Sequence, residues 1–111
     1  MKKSVQKGFT IIELVVVIVI LGILAAVAFP KFNDLSTNAE GAVISGAVAA
    51  LKSSAVILYA KNSGSKSGAA AIIAATELDN VTAATTATAC QILVTKGASS
   101  TSFIVSTEYC S

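Results

Sequence analysis

From Phe9 to Phe29 the chain runs 21 residues with a single charge, Glu13. A helix rising about 1.5 Å per residue makes that run roughly 31 Å long, the thickness of a hydrocarbon core. Ahead of it stand Lys2, Lys3 and Lys7 with no acid among them. A basic flank of this kind stays on the cytoplasmic side, which sends the rest of the chain across the membrane as a single pass. Glu13 is the anomaly. A carboxylate deep in lipid costs about 2.5–3.5 kcal/mol, somewhat less near the interface, so this position implies a partner for it.

Past Pro30 the periodicity stays helical. Phe32, Leu35, Ala39, Val43, Ala47, Leu51, Ala55 and Leu58 step by three or four, with Ile44 and Val48 widening the stripe. Asp34, Asn38, Gly41, Ser45 and Lys52 fall opposite. Lys61, Asn62, Ser63 and Gly64 read as the stop: a cation in the last turn, then Asn and Gly where a left-handed cap is needed. The helix so predicted, residues 9–62, is roughly 80 Å long if straight. No 111-residue monomer encloses such a rod, so its first half needs lipid or other copies of itself. Pro30 lacks an N–H and clashes with the preceding turn, and Gly22 weakens the same stretch, so a bend is expected there.

The remaining residues, 63–111, are too few for a self-sufficient core. Ser63 to Gly68 has the composition of a flexible linker. Ala69 to Ala75 suggests a short helix, Glu77 to Asn80 a surface turn, and Val81 to Thr88 a loop or edge strand. Cys90–Lys96 and Thr101–Thr107, rich in β-branched residues and separated by Gly97-Ala98-Ser99-Ser100, predict a hairpin. Its expected register sets Phe103 beside Val94, Val105 beside Ile92 and Cys90 near Thr107, so either the tail curls back for Cys110 to reach Cys90 or a bulge shifts the register. Two thiols in an exported region with no His to complete a ligand set point to a disulfide, with free or intermolecular thiols as the alternative. On the chain-entropy model a loop of about twenty residues closed in this way is worth roughly 3 kcal/mol.

Gly8-Phe9-Thr10-Ile11-Ile12-Glu13, the basic leader before it and the apolar helix ending near Pro30 resemble a class III signal, the N-terminus of a type IV prepilin or a related type II secretion pseudopilin. The wording from Glu13 to Ala25, followed by Pro30-Lys31-Phe32, is similar to the mannose-sensitive haemagglutinin type in particular. The resemblance covers roughly the first third of the chain. It implies an α+β pilin fold: a long N-terminal helix, transmembrane in its first half, packed by its second half on a small C-terminal antiparallel hairpin or sheet. It implies three regions: a leader, 1–8, that is removed; a helix, 9–62, of which 9–29 is membrane span and then filament core; and a head, 63–111. A prepilin peptidase would cut between Gly8 and Phe9 and methylate the new amine. Glu13 would set assembly register by attracting the Phe9 amine of a neighbouring copy, and the segment from Gly22 to Pro30 would unwind in the filament. The partners implied are identical subunits, the peptidase, the inner-membrane assembly machinery and, before assembly, lipid. The product would be an extracellular pilus serving surface attachment, motility or DNA uptake.

Two rival readings share parts of this pattern. A type II secretion pseudopilin has the same N-terminus, although its major form typically carries a C-terminal calcium loop, whose glycine and spacing are missing around Glu77 and Asp79. An ordinary secretory signal would use Ala26-Val27-Ala28 and leave a soluble protein beginning at Phe29, but Glu13 interrupts its apolar core. Other classes find little support. Without residues 1–8 the chain has five lysines against six carboxylates, a formal −1, and it has no Arg, so no direct nucleic-acid site is evident. With no His, and no nucleophile set beside a base, no catalytic constellation, metal site or cofactor site is visible. Lys52-Ser53-Ser54 reads as helix surface, and Gly64-Ser65-Lys66-Ser67 lacks the upstream glycine of a phosphate loop.

Overall fold

A computed structural model describes residues 8–111; the basic leader with Lys2, Lys3 and Lys7 lies outside the described residues. In chain order the elements are α1 (Ile11–Lys61), α2 (Ala69–Ala74), β1 (Thr82–Thr85), β2 (Gln91–Lys96) and β3 (Ser99–Ile104). The chain divides into two units, the first ending at Leu35 and the second running Ser36–Ser111. The architecture is the expected α+β arrangement, with a three-stranded antiparallel sheet in order β1-β2-β3 where a hairpin was the minimum.

In the first unit every residue from Gly8 to Val27 is exposed. The most apolar 18-residue window of α1 has a mean hydropathy of 3.1 and none of it is buried, so the helix is long and apolar enough to cross a membrane. Helical backbone continues through Gly22 and Pro30. Pro30 has no N–H to give the carbonyl of Ala26, so that acceptor has no helical donor.

In the second unit α1 contributes Ile44, Ala47, Leu51 and Ala55 to the core, spaced three, four and four apart. They pack with Ile72 of α2, Ile92 and Val94 of β2, and Val105, Cys90 and Cys110. The stripe read from the sequence is therefore correct from Ile44 onward. Its earlier members differ: Phe32 is 70% and Leu35 63% exposed. The stop also shifts by one residue. Ser63 donates to Ala60 O at 3.3 Å and Gly64 to Tyr59 O at 2.8 Å, a Schellman cap. The left-handed residues are thus Ser63 (φ 53°) and Gly64 (φ 84°), while the Asn62 side chain donates to Ser67 Oγ at 3.1 Å.

The hairpin register departs from expectation by two residues. Lys96 pairs with Ser99, Val94 with Thr101 and Ile92 with Phe103, and Val105 N–H donates to Cys90 O at 2.8 Å. The cause is the turn. Only Gly97 and Ala98 are unpaired, with Gly97 left-handed (φ 58°) and Ala98 not, the pattern of a two-residue type II′ turn. Ser99 and Ser100 become strand. The turn sits against α1, where Glu40 Oε2 accepts from Ser99 Oγ at 3.0 Å, and a Cβ added at Gly97 would collide with the Glu40 carboxylate. As expected, the tail curls back: Tyr109 and Cys110 donate to Ser106 O, and Cys110 bridges in parallel to Ser67. Cys90 and Cys110 form the disulfide, with Cα atoms 5.8 Å apart and both residues buried.

Two substitutions at left-handed positions should act in opposite directions. Ser63→Gly relieves a non-glycine residue of about 1 kcal/mol of strain and is expected to raise stability. Gly97→Ala introduces both strain and collision and is expected to lose about 1–3 kcal/mol. Denaturant melts of the oxidised full-length chain in detergent check both signs.

Candidate functional site

The residues singled out in the sequence fall into two places. Gly8, Phe9, Glu13, Gly22 and Pro30 belong to the first unit, while Cys90 and Cys110 close the second. Gly8, Phe9 and Thr10 precede the helix, so α1 begins two residues later than its periodicity suggested. The reason is Thr10. Its carbonyl accepts the first helical bond, from Leu14 N–H at 3.2 Å, which makes it the N-cap. Its hydroxyl accepts from Glu13 N–H at 3.3 Å, and Glu13 Oε2 accepts from Thr10 N–H at 2.9 Å. This reciprocal pair is a capping box.

Thr10 is the residue that reading for periodicity passed over, although a signal was present: Thr-x-x-Glu directly ahead of an apolar run. The box changes the standing of Glu13. The carboxylate expected to need a partner has one within its own chain, and it lies in the first turn, where the helix dipole favours negative charge. Two backbone donors that would be orphaned at a helix start are also satisfied, which matters most where no water is present. The cap occupies Oε2; among the described residues Oε1 has no bonded partner. A carboxylate has about four lone-pair positions, so a second donor can be added without dismantling the cap.

Phe9 is 93% exposed, and the Gly8–Phe9 bond lies in non-helical chain beside it. An added Cβ at Gly22 would meet nothing within 4 Å, so no neighbour among the described residues requires glycine there.

Comparison with known proteins bears on this same segment. Residues 3–29 match the family described as the prokaryotic N-terminal methylation motif. The type IV narrow pilus major component PilA5 of Thermus thermophilus is 51% identical over 51 residues, covering 46% of this chain and 44% of that protein. The type IV major alpha-pilin of Moraxella bovis is 49% identical over 49 residues, 44% of this chain and 31% of that pilin. The type IV major fimbrial protein FimA of Dichelobacter nodosus is 55% identical over 40 residues, 36% of this chain and 25% of that protein. The chain thus aligns with less than half the length of each of these relatives. No solved structure matches it significantly. These similarities bear out the type IV pilin resemblance and do not select the mannose-sensitive haemagglutinin subtype.

Removing the cap hydroxyl with Thr10→Val should cost about 1 kcal/mol at the helix start and leave the C-terminal unit unchanged. The check is amide hydrogen exchange in micelles: faster exchange is expected at Glu13 and its neighbours, with none at residues 44–55.

Proposed function

We propose that this chain, a type IV pilin by its N-terminal segment, is a structural subunit of a type IV pilus. It is held in the inner membrane as a precursor with a cytoplasmic N-terminus and becomes part of an extracellular filament. The observation that carries this reading is the wholly exposed apolar surface of residues 8–27, whose single carboxylate lies in the first helical turn. Such a surface is satisfied by lipid before assembly and by the same surface of other copies afterwards. Each Val, Leu or Ile fully buried in that exchange is worth about 1.5–3 kcal/mol relative to water.

A prepilin peptidase cuts between Gly8 and Phe9 and methylates the Phe9 amine. The exposed, non-helical bond and the small Gly8 side chain suit a tight protease site. The new amine of one copy then approaches Glu13 of its neighbour. Because no described residue bonds Oε1 while Oε2 holds the cap, Glu13 can accept that amine as a preformed acceptor. An unpaired charge in apolar surroundings is costly, so a wrong axial register is disfavoured. The contact joins two different surfaces, which repeats into a fibre and does not close. The stretch from Gly22 to Pro30, already short of one hydrogen bond at Pro30, is where the helix unwinds when subunits are packed at filament spacing. The inner-membrane assembly machinery supplies extraction, and attachment to surfaces is the expected use of the fibre. The role is structural and involves no cofactor.

The pseudopilin reading shares this N-terminus. The pilus is favoured because the relatives above are named as major pilus or fimbrial components. A soluble product beginning at Phe29 would discard the segment that the methylation motif covers.

Intact mass and N-terminal sequencing of sheared surface filaments test the reading: a chain beginning at N-methylated Phe9, two hydrogens lighter for the disulfide, is expected. Glu13→Val should still be cut at Gly8 but give at least about tenfold fewer filaments, since a mispaired register loses more than 1.4 kcal/mol. Normal piliation of that variant, by electron microscopy, would remove Glu13 from assembly.

A further inference from the structure

The second unit carries an open groove of about 310 Å³ lined by Lys52, Val56, Ile104, Val105, Ser106 and Tyr109. Its floor is firm. Val105 is buried, and Tyr109 stands edge-on to Tyr59 with ring centroids 5.4 Å apart. Its rim is uncovered: Ile104 is 61% and Val56 46% exposed. Lys52 Nζ lies 5.6 Å from the centroid of the Phe103 ring, and among the described residues no carboxylate pairs with it. A cation set beside bare aliphatic side chains fits an acid that is itself flanked by apolar residues.

The other described carboxylates are poor candidates. Glu13 is committed, on the pilus reading, to the Phe9 amine of a neighbouring copy, and Glu40 is held by Ser99. Glu77 and Asp79 flank Leu78, which packs against the core, and Glu108 adjoins Tyr109, part of the groove itself. Asp34 stands between Phe32 and Leu35, both largely exposed.

We propose that the groove receives the Phe32–Leu35 stretch of α1 from a second copy of this chain, with Asp34 pairing with Lys52 and Leu35 covering Val56 and Ile104. The donating and receiving patches are different surfaces, so the contact is heterologous and propagates from copy to copy. The inference rests on the pilus reading and deepens it, adding a second register lock in the C-terminal unit to the one at Glu13. A partly exposed ion pair of this kind selects register and partner more than it adds affinity.

Carbodiimide joins a carboxylate to an amine without a spacer. Applied to sheared wild-type filaments, it is expected to give covalent dimers, trimers and longer species whose digest contains an Asp34–Lys52 linked peptide. Single reversals, Asp34→Lys and Lys52→Asp, should each lower filament yield about tenfold by opposing like charges, and the double reversal should restore it to within about twofold. Normal levels of the oxidised single variants in the membrane would show that they fold. Filaments in which Lys52 links only to other carboxylates, or single reversals with wild-type yield, overturn this contact and leave the pilus reading standing. Cells that make no filament of this chain overturn both.

Discussion

A helix surface with no apolar cover is the constraint on which the rest depends. From Gly8 to Val27 every residue is exposed. In water that surface opposes solubility in proportion to its area. Burial of that surface calls for an apolar cover, and on the proposed reading a bilayer and a bundle of identical helices each supply one. The exchange between them costs little because the two are nearly as apolar as each other. What distinguishes them is polar chemistry, and in this stretch the polar chemistry is confined to one end.

That end is built around Thr10 and Glu13. A bare carboxylate would resist both environments, whereas one held by its own backbone tolerates lipid and still has an oxygen to offer. The cap also fixes where the helix starts, which leaves Phe9 outside it and Gly8–Phe9 in open chain. One four-residue motif thus satisfies Glu13 and two backbone donors together and leaves Gly8–Phe9 outside the helix; on the proposed reading these are the group that reads register and the bond that is cut. The C-terminal unit solves a separate problem. Its core packs on α1 along Ile44, Ala47, Leu51 and Ala55, and it is closed by Cys90–Cys110.

What was legible in the sequence was local and periodic. The long apolar helix, its lone acid, the stripe through Ala47, Leu51 and Ala55, the short helix at Ala69 and the pairing of the two cysteines all follow from composition or spacing within a few residues. What was missed depends on geometry that spacing does not encode. Gly97-Ala98-Ser99-Ser100 can turn in two residues or four, and the left-handed Gly97 pressed against Glu40 decides for two, shifting every partner in the hairpin. Thr82–Thr85, only Thr and Ala, left loop and edge strand open, and pairing with β2 makes it the edge strand. Thr10 was hidden because an apolar run draws the eye to its period and away from its first polar residue. The groove at Lys52 joins a helix to the chain's tail, and no one-dimensional pattern brings those together.

The most direct test is hydrogen exchange, read by mass spectrometry, on residues 14–29 of sheared filaments washed free of lipid and detergent. Burial against other copies requires the segment to be present and its amides to exchange far more slowly than those of a solvent-bathed helix, with local weakness confined to Gly22–Pro30. Filaments that lack the segment, or in which it exchanges as freely as an exposed helix, would contradict the transfer of this surface from bilayer to its own copies.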